Sequence, residues 1–230
     1  MEAAPETGAV KCRARRPAAA RGLPFRMKLM HGSDWIGEDV AGWWLSEKLD
    51  GWRCVWTGEE FLSRQGEAFS VPDRYKQGMP RQVLDGELWA GPGTTHDQVN
   101  GAVRSGNWSA LSFRPFDMPV PGLRIEAAQV ILASLALPGH VKPVSYDRLT
   151  STAAAIRTMF QICAAGGEGV MLRKPGSCYW PYWRSTKLLK LTPRALELAR
   201  PPVPRAGARE APPGALGLDK GRPEKTGLAR

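Results

Sequence analysis

Lys48 lies in the run Ser46-Glu47-Lys48-Leu49-Asp50-Gly51-Trp52-Arg53, between two hydrophobic stretches that read as strands. A carboxylate and a turn-forming glycine follow the lysine at once, and an arginine closes the group. A lysine amine is a good nucleophile only when neutral. Partial burial and neighbouring cations lower its pKa and prepare it to attack an electrophile. Read alone, Lys48–Arg53 also suits a surface turn with an incidental Lys–Asp pair. The common nucleotide devices are absent: the chain has no G-x-x-x-x-G-K-[ST] loop and no G-x-G-x-x-G after a strand.

Four more short groups follow in order: Leu84-Asp85-Gly86-Glu87-Leu88-Trp89, Phe113-Arg114-Pro115-Phe116-Asp117, Gly167-Glu168-Gly169-Val170-Met171-Leu172 and Leu189-Lys190-Leu191. With Lys48–Arg53 they resemble the K-x-D-G-x-R, D-G-E-L, F-x-x-F-D, E-G-h-h and h-K-h-K motifs of the covalent nucleotidyltransferases. That superfamily comprises DNA ligases, RNA ligases and mRNA capping enzymes. The surroundings of Trp43–Arg53 and the compact spacing look most like the small bacterial and phage ATP-dependent DNA ligases.

The resemblance implies an enzyme, an ATP-dependent DNA ligase, and a role for each matching residue. Lys48 would be the catalytic nucleophile, attacking the α-phosphorus of ATP and carrying AMP. Glu47, Lys48, Arg53, Glu87, Phe116 and Lys190 would form the ATP site. In it Arg53 would contact the ribose or the nick terminus, Glu87 the ribose hydroxyls, and Phe116 the adenine. Lys190 would pair with the α-phosphate. Asp50, Glu87 and Glu168 would serve Mg²⁺, a cation held by one or two carboxylates plus phosphate oxygens. Arg64 would grip the 5′-phosphate of a DNA nick. The partner so implied is nicked double-stranded DNA. Two alternatives stand beside this: an RNA ligase or capping-type nucleotidyltransferase, and a truncated, non-catalytic nucleic-acid-binding remnant.

The chain departs from the pattern twice. Thr192 stands where h-K-h-K has its second lysine; a hydroxyl carries no charge for the α-phosphate, and Lys187 is the nearby candidate to compensate. Family ligases continue into an OB-fold domain. The prolines in Pro193–Arg230, such as Pro201-Pro202 and Pro212-Pro213, argue against a barrel there.

The elements that must position these groups read as mixed α+β. Trp43–Lys48, Trp52–Thr57, Phe61–Arg64, Gln82–Trp89, Leu111–Phe116, Val170–Arg173 and Lys187–Leu191 have strand composition. His96–Arg104, Ile125–Leu135 and Thr152–Ala165 have helical spacing, the last closed by Gly166-Gly167. Hairpins and helices interleave without a βαβ rhythm. That favours a mostly antiparallel sheet core, and the resemblance implies the α+β nucleotidyltransferase (ATP-grasp-like) domain, with mostly antiparallel sheets flanked by helices. Residues 1–26 read as a disordered basic leader, 27–192 as the adenylation domain, and 193–230 as a Pro/Arg-rich disordered tail.

The net charge of the 230 residues is +10. Residues 1–26 carry six Lys/Arg against two Glu, and residues 193–230 eight against four Asp/Glu, so most of the excess sits at the ends. Basic ends suit phosphate neutralisation and plain solvation equally well. Val130–Pro138, the most apolar stretch, is far shorter than the roughly 20 residues a membrane span needs. The four cysteines form no Cys-x-x-Cys pair and read as reduced. A monomer in the cytoplasm, with no membrane partner, is the expectation.

Overall fold

The structure is a computed structural model that describes residues 29–181 and 184–199. The expected leader and most of the expected tail lie outside the described residues. Nine strands are seen among the described residues: β1 (His31–Asp34), β2 (Trp44–Glu47), β3 (Trp52–Trp56), β4 (Phe61–Ser63), β5 (Leu84–Trp89), β6 (Ser112–Asp117), β7 (Asp147–Arg148), β8 (Val170–Arg173) and β9 (Arg184–Leu191). They form a five-stranded sheet in the order β1-β9-β8-β2-β7 and a four-stranded sheet in the order β4-β3-β5-β6. All pairings are antiparallel except β1 with β9. The α+β reading with mostly antiparallel sheets holds.

Each sheet has its own core. Under the four-stranded sheet, Cys54, Trp56, Leu84, Leu88 and Phe113 pack with Tyr75 of α1 (Asp73–Lys76), Val99 of α2 (His96–Ser105), and Ala128 and Leu132 of α3 (Ile125–Ser134). Under the other, Leu45, Val170, Leu172, Leu189 and Leu191 pack with Ala155 and Met159 of α4 (Thr152–Ala164). Because side chains alternate along a strand, the residues between these core positions point to the opposite faces. On β5 and β3 these are Asp85, Glu87 and Arg53; on β2, β8 and β9 they are Ser46, Met171, Arg173, Leu188 and Lys190. All of these line one cleft.

Helix ends follow local chemistry. Thr95 and Gln98 make a reciprocal capping box on α2, and Gly106 ends the helix in a left-handed conformation. α4 ends in a Schellman motif: Gly166 N–H donates to the Cys163 carbonyl and Gly167 N–H to that of Ile162. This reverses the chain and delivers Glu168 to the start of β8.

Three features depart from the sequence reading. β1 has the composition of a turn, His-Gly-Ser-Asp, and is a strand only because β9 offers it a parallel ladder. The tail boundary at 193 is also too early: Pro193–Ala199 form a helix, α5, with Ala195 buried and Leu196 packed on the five-stranded sheet's core. Proline at the first helical position lacks an N–H that would go unpaired there anyway. Cys54 and Cys163 are free thiols. Cys178 is disulfide-bonded, so the expectation of four reduced cysteines fails there. No helix among the described residues is long and apolar enough to cross a membrane.

Candidate active site

The cleft between the sheets has a volume of about 340 Å³, within the usual range for small-molecule sites. Glu47, Lys48, Arg53, Arg64, Glu87, Phe116, Glu168 and Lys190 all line it, so eight of the nine expected site residues converge. Asp50 does not line the cleft.

Lys48 follows β2 directly. Its amide donates to the Gly169 carbonyl at 2.9 Å, extending the β2–β8 ladder by one bond. Its Nζ is ion-paired with the Glu168 carboxylate. Gly51 and Gly169, beside the nucleophile, are sterically required. A Cβ on Gly51 would stand 2.2 Å from the Leu88 carbonyl oxygen and 2.7 Å from Glu87 Cγ, because the turn after Lys48 lies directly on β5. Gly169 has φ 141°, and a Cβ there would stand 2.5 Å from the Leu191 carbonyl oxygen.

On the facing sheet, Arg53 and Glu87 are direct cross-strand partners. Burial pushes the Glu87 carboxyl up to about 7, against the pull of Arg53 and Lys48. Arg53 forms a two-pronged pair with the fully buried Asp85: Nε to Oδ1 at 3.0 Å and Nη2 to Oδ2 at 2.7 Å. Burial opposes the Arg53 charge, but the Asp85 carboxylate outweighs it and holds the guanidinium above its ordinary pKa. Burial also pushes Glu47 upward. Asp117 is buried and titrates at about 6, raised by burial and pulled back by Arg173, whose Nη2 is 3.3 Å away.

Phe116 sits on the cleft face of β6 while Phe113 occupies the core. Strand alternation thus separates the two aromatics of Phe113–Asp117. The Phe116 ring lies 5.3 Å from Arg53 Cζ, and Tyr146 Oη donates to the Phe116 carbonyl at 2.8 Å. Lys190 Nζ pairs with Asp34 of β1 at 2.8 Å, and that bond holds the Asp34 carboxyl below its usual range. Arg64 approaches His31 at 3.4 Å. Burial, then the charges of Arg53, Arg64 and Arg184, lower the His31 pKa.

Thr192 is the N-cap of α5: its Oγ accepts from the Ala195 amide at 3.2 Å. The position that would carry the second lysine therefore has a structural duty. Lys187 cannot stand in, because it has the strand parity of the core residues Leu189 and Leu191, opposite to Lys190.

No three His, Cys, Asp or Glu side chains among the described residues come together as a ready-made metal cluster. Asp50, Glu87 and Glu168 are thus not assembled as one set. Glu87 and Glu168 do face the cleft, which fits a divalent cation arriving on phosphate oxygens and needing only one or two protein carboxylates. Asp85, Tyr179, Asp117, Arg173, Arg184 and Asp34 were missed as members of the site. Asp85 and Asp117 carried a signal, standing inside the Asp-Gly-Glu-Leu and Phe-Arg-Pro-Phe-Asp groups.

No family model matches the sequence. The chain is 28% identical over 159 residues to the DNA ligase of Haemophilus influenzae, covering 67% of this chain and 59% of that one. Among solved structures it matches one from a structure–function analysis of Lig E DNA ligases, on DNA binding with a minimal scaffold. That match has a TM-score of 0.66 at 30% identity over 72% of this chain and 68% of the other. The chain belongs to the DNA ligase family. Chlorella virus DNA ligase-adenylate (TM-score 0.58, 19% identity, 73% of this chain and 68% of that one) and the ligase domain of M. tuberculosis LigD (0.56, 19%, 72% and 59%) share its fold. As in those DNA ligases, the described fold is that of the nucleotidyltransferase domain. The chain spans about three fifths of the length of the curated ligase it matches.

Proposed function

We infer that the protein is an ATP-dependent DNA ligase whose adenylation chemistry runs through Lys48. The observation that carries this is the position of Lys48 at the seam of two sheets, ion-paired to Glu168 and facing Glu87 and Arg53 across one cleft.

The Nζ lone pair of Lys48, once its proton is lost, attacks the α-phosphorus of ATP. A P–N bond forms, the bond to the bridging oxygen breaks, and pyrophosphate leaves. A 5′-phosphate oxygen of the nick then attacks the same phosphorus and the P–N bond breaks, leaving AMP on the DNA. Finally the 3′-hydroxyl attacks the 5′-phosphorus and AMP departs. Phosphoryl transfer of this kind depends mainly on positioning and charge stabilisation.

Within the cleft, Phe116 offers a ring face to the adenine, Glu87 accepts from the ribose hydroxyls, and Lys190 exchanges Asp34 for the α-phosphate. Arg53 contacts the ribose or the nick terminus, and Arg64, at the mouth beside His31, takes the nick 5′-phosphate. Glu168 or Glu87 would hold a Mg²⁺ arriving with the nucleotide, and that cation would supply neutralisation of the phosphate charge. Part of the same reading is a monomer working in the cytoplasm on nicked duplex DNA. The free thiols of Cys54 and Cys163 support that setting, and the disulfide at Cys178 is the observation against it.

The test is sealing of a singly nicked, end-labelled duplex with ATP and Mg²⁺. Wild-type protein should yield the longer strand and Lys48→Ala should not; equal product from both would end the reading.

A further inference from the structure

The Arg53–Asp85 pair is one side of a closed ring. Besides its two bonds to Asp85, Arg53 donates from Nη2 to the Met30 carbonyl at 2.8 Å. The Met30 amide donates to Tyr179 Oη at 3.1 Å, and that hydroxyl donates onward to Asp85 Oδ2 at 2.8 Å. Four parts of the chain meet here: β3, β5, the residue before β1, and the segment between β8 and β9. Asp85 has no exposed surface, and Met30 and Tyr179 are each 1% exposed.

Such a ring fixes an arginine in a way that a carboxylate alone does not. A buried Arg–Asp pair repays its desolvation only when the geometry is good and the remaining lone pairs are satisfied. Tyr179 supplies the extra donor to Oδ2, and the Met30 carbonyl fixes the second proton of Nη2. Nη1 is left without a partner among the described residues, on a guanidinium that lines the cleft. The tyrosine belongs to the segment joining β8, which follows Glu168, to β9, which carries Lys190. It therefore ties Arg53 on one sheet to the phosphate-facing residues of the other.

We propose that Tyr179 is a positioning residue for Arg53, its hydroxyl closing the Asp85–Arg53–Met30 ring so that the arginine presents one fixed edge to the substrate in the cleft. This rests on the ligase reading above, and deepens it by assigning a second sheet's contribution to the orientation of Arg53.

Tyr179→Phe removes the hydroxyl and keeps the ring. The readout is single-turnover AMP transfer and sealing, with KM for ATP measured separately. The chemical rate should fall by about tenfold or more, the scale of a hydrogen bond to a charged group, with KM for ATP changed by less than about twofold. In an Arg53→Lys background the same substitution should cost less than about twofold further, because both changes break one ring. Asp85→Asn keeps the side chain's size and drops its charge; it should reproduce the selective loss and serves as the second variant if Tyr179→Phe does not fold. Losses that simply multiply across the two sites, or an effect confined to melting temperature, would overturn the proposal. Wild-type labelling of Lys48 is read first: no label sinks the ligase reading and this inference with it, whereas label together with independent losses sinks the inference alone.

Discussion

Lys48 and Glu168 are ion-paired although 120 positions separate them in the chain. The pairing is a consequence of register. β2 and β8 pair Glu47 with Val170, and the next bond runs from the Lys48 amide to the Gly169 carbonyl. Both side chains are thereby delivered to the same end of the ladder. The Schellman turn after α4 sets where Glu168 enters it. Replacing Glu168 with Gln keeps the shape and removes the charge. Transfer of AMP to Lys48 should slow by about 10- to 150-fold, the range of a hydrogen bond to a charged group. Rates of label incorporation at saturating ATP check this; an unchanged rate would mean the ion pair is only a resting contact.

Phe116 lies on the cleft face of β6 and should act through its ring face. Phe116→Ala should weaken apparent ATP affinity by about 5- to 150-fold, the worth of stacking one base on an aromatic ring. Phe116→Trp should largely preserve it. Titration of ATP against the rate of Lys48 labelling gives both values, and equal behaviour of Ala and Trp would remove the base from this wall.

Thr192 trades charge for a helix cap. Thr192→Lys should lower stability by about 1 kcal/mol, the usual cost of losing an N-cap, while speeding lysine adenylation, since a cation would follow Lys190 on the same face. Lys187→Ala should leave adenylation within about twofold of wild type, because its side chain stands on the other face of β9. Thermal melts and labelling rates on the two variants decide the matter; a large loss of labelling in Lys187→Ala would overturn the face assignment.

Asp117 makes folding pH-dependent. Its folded-state pKa, about 6, is raised above the unfolded value near 3.8, so the folded protein holds this proton more tightly. Its contribution to stability is full below about pH 4 and is lost as pH rises through about 6, amounting to about 3 kcal/mol at most at roughly 1.4 kcal/mol per pH unit. Asp117→Asn should flatten the change in denaturation free energy between pH 4 and 7 relative to wild type. Identical slopes in the two proteins would refute the assignment.

Strand β8 was legible from sequence to the residue, and β2, β3, β5, β6 and the helices α2 to α4 within two residues at either end. Each of these has a core face with strong periodicity or a visible cap, as in Thr95–Gln98 and Gly166-Gly167. β1 was not legible, since His31–Asp34 has no strand composition and owes its conformation to β9. α5 was hidden because Pro193 was read with the prolines further on, when Thr192-Pro193 is itself a helix start. In the site, motif residues were legible because each offers a group the chemistry needs. Tyr179, Arg173 and Asp34 were not, because they act through partners far away in sequence that only the folded register brings near. Asp50 was the reverse case: two positions from the nucleophile in sequence, yet not among the residues that line the cleft.

Whether Lys48 carries AMP is decided by one labelling experiment. The protein is incubated with ATP or GTP labelled at the α-phosphate, with Mg²⁺, and the label on the denatured chain is measured. Label should come from ATP and not from GTP, should be acid-labile as a phosphoramidate, and should map to Lys48 and vanish in Lys48→Ala. Label that persists in Lys48→Ala, or that maps to another residue, would mean that Lys48 is not the nucleophile.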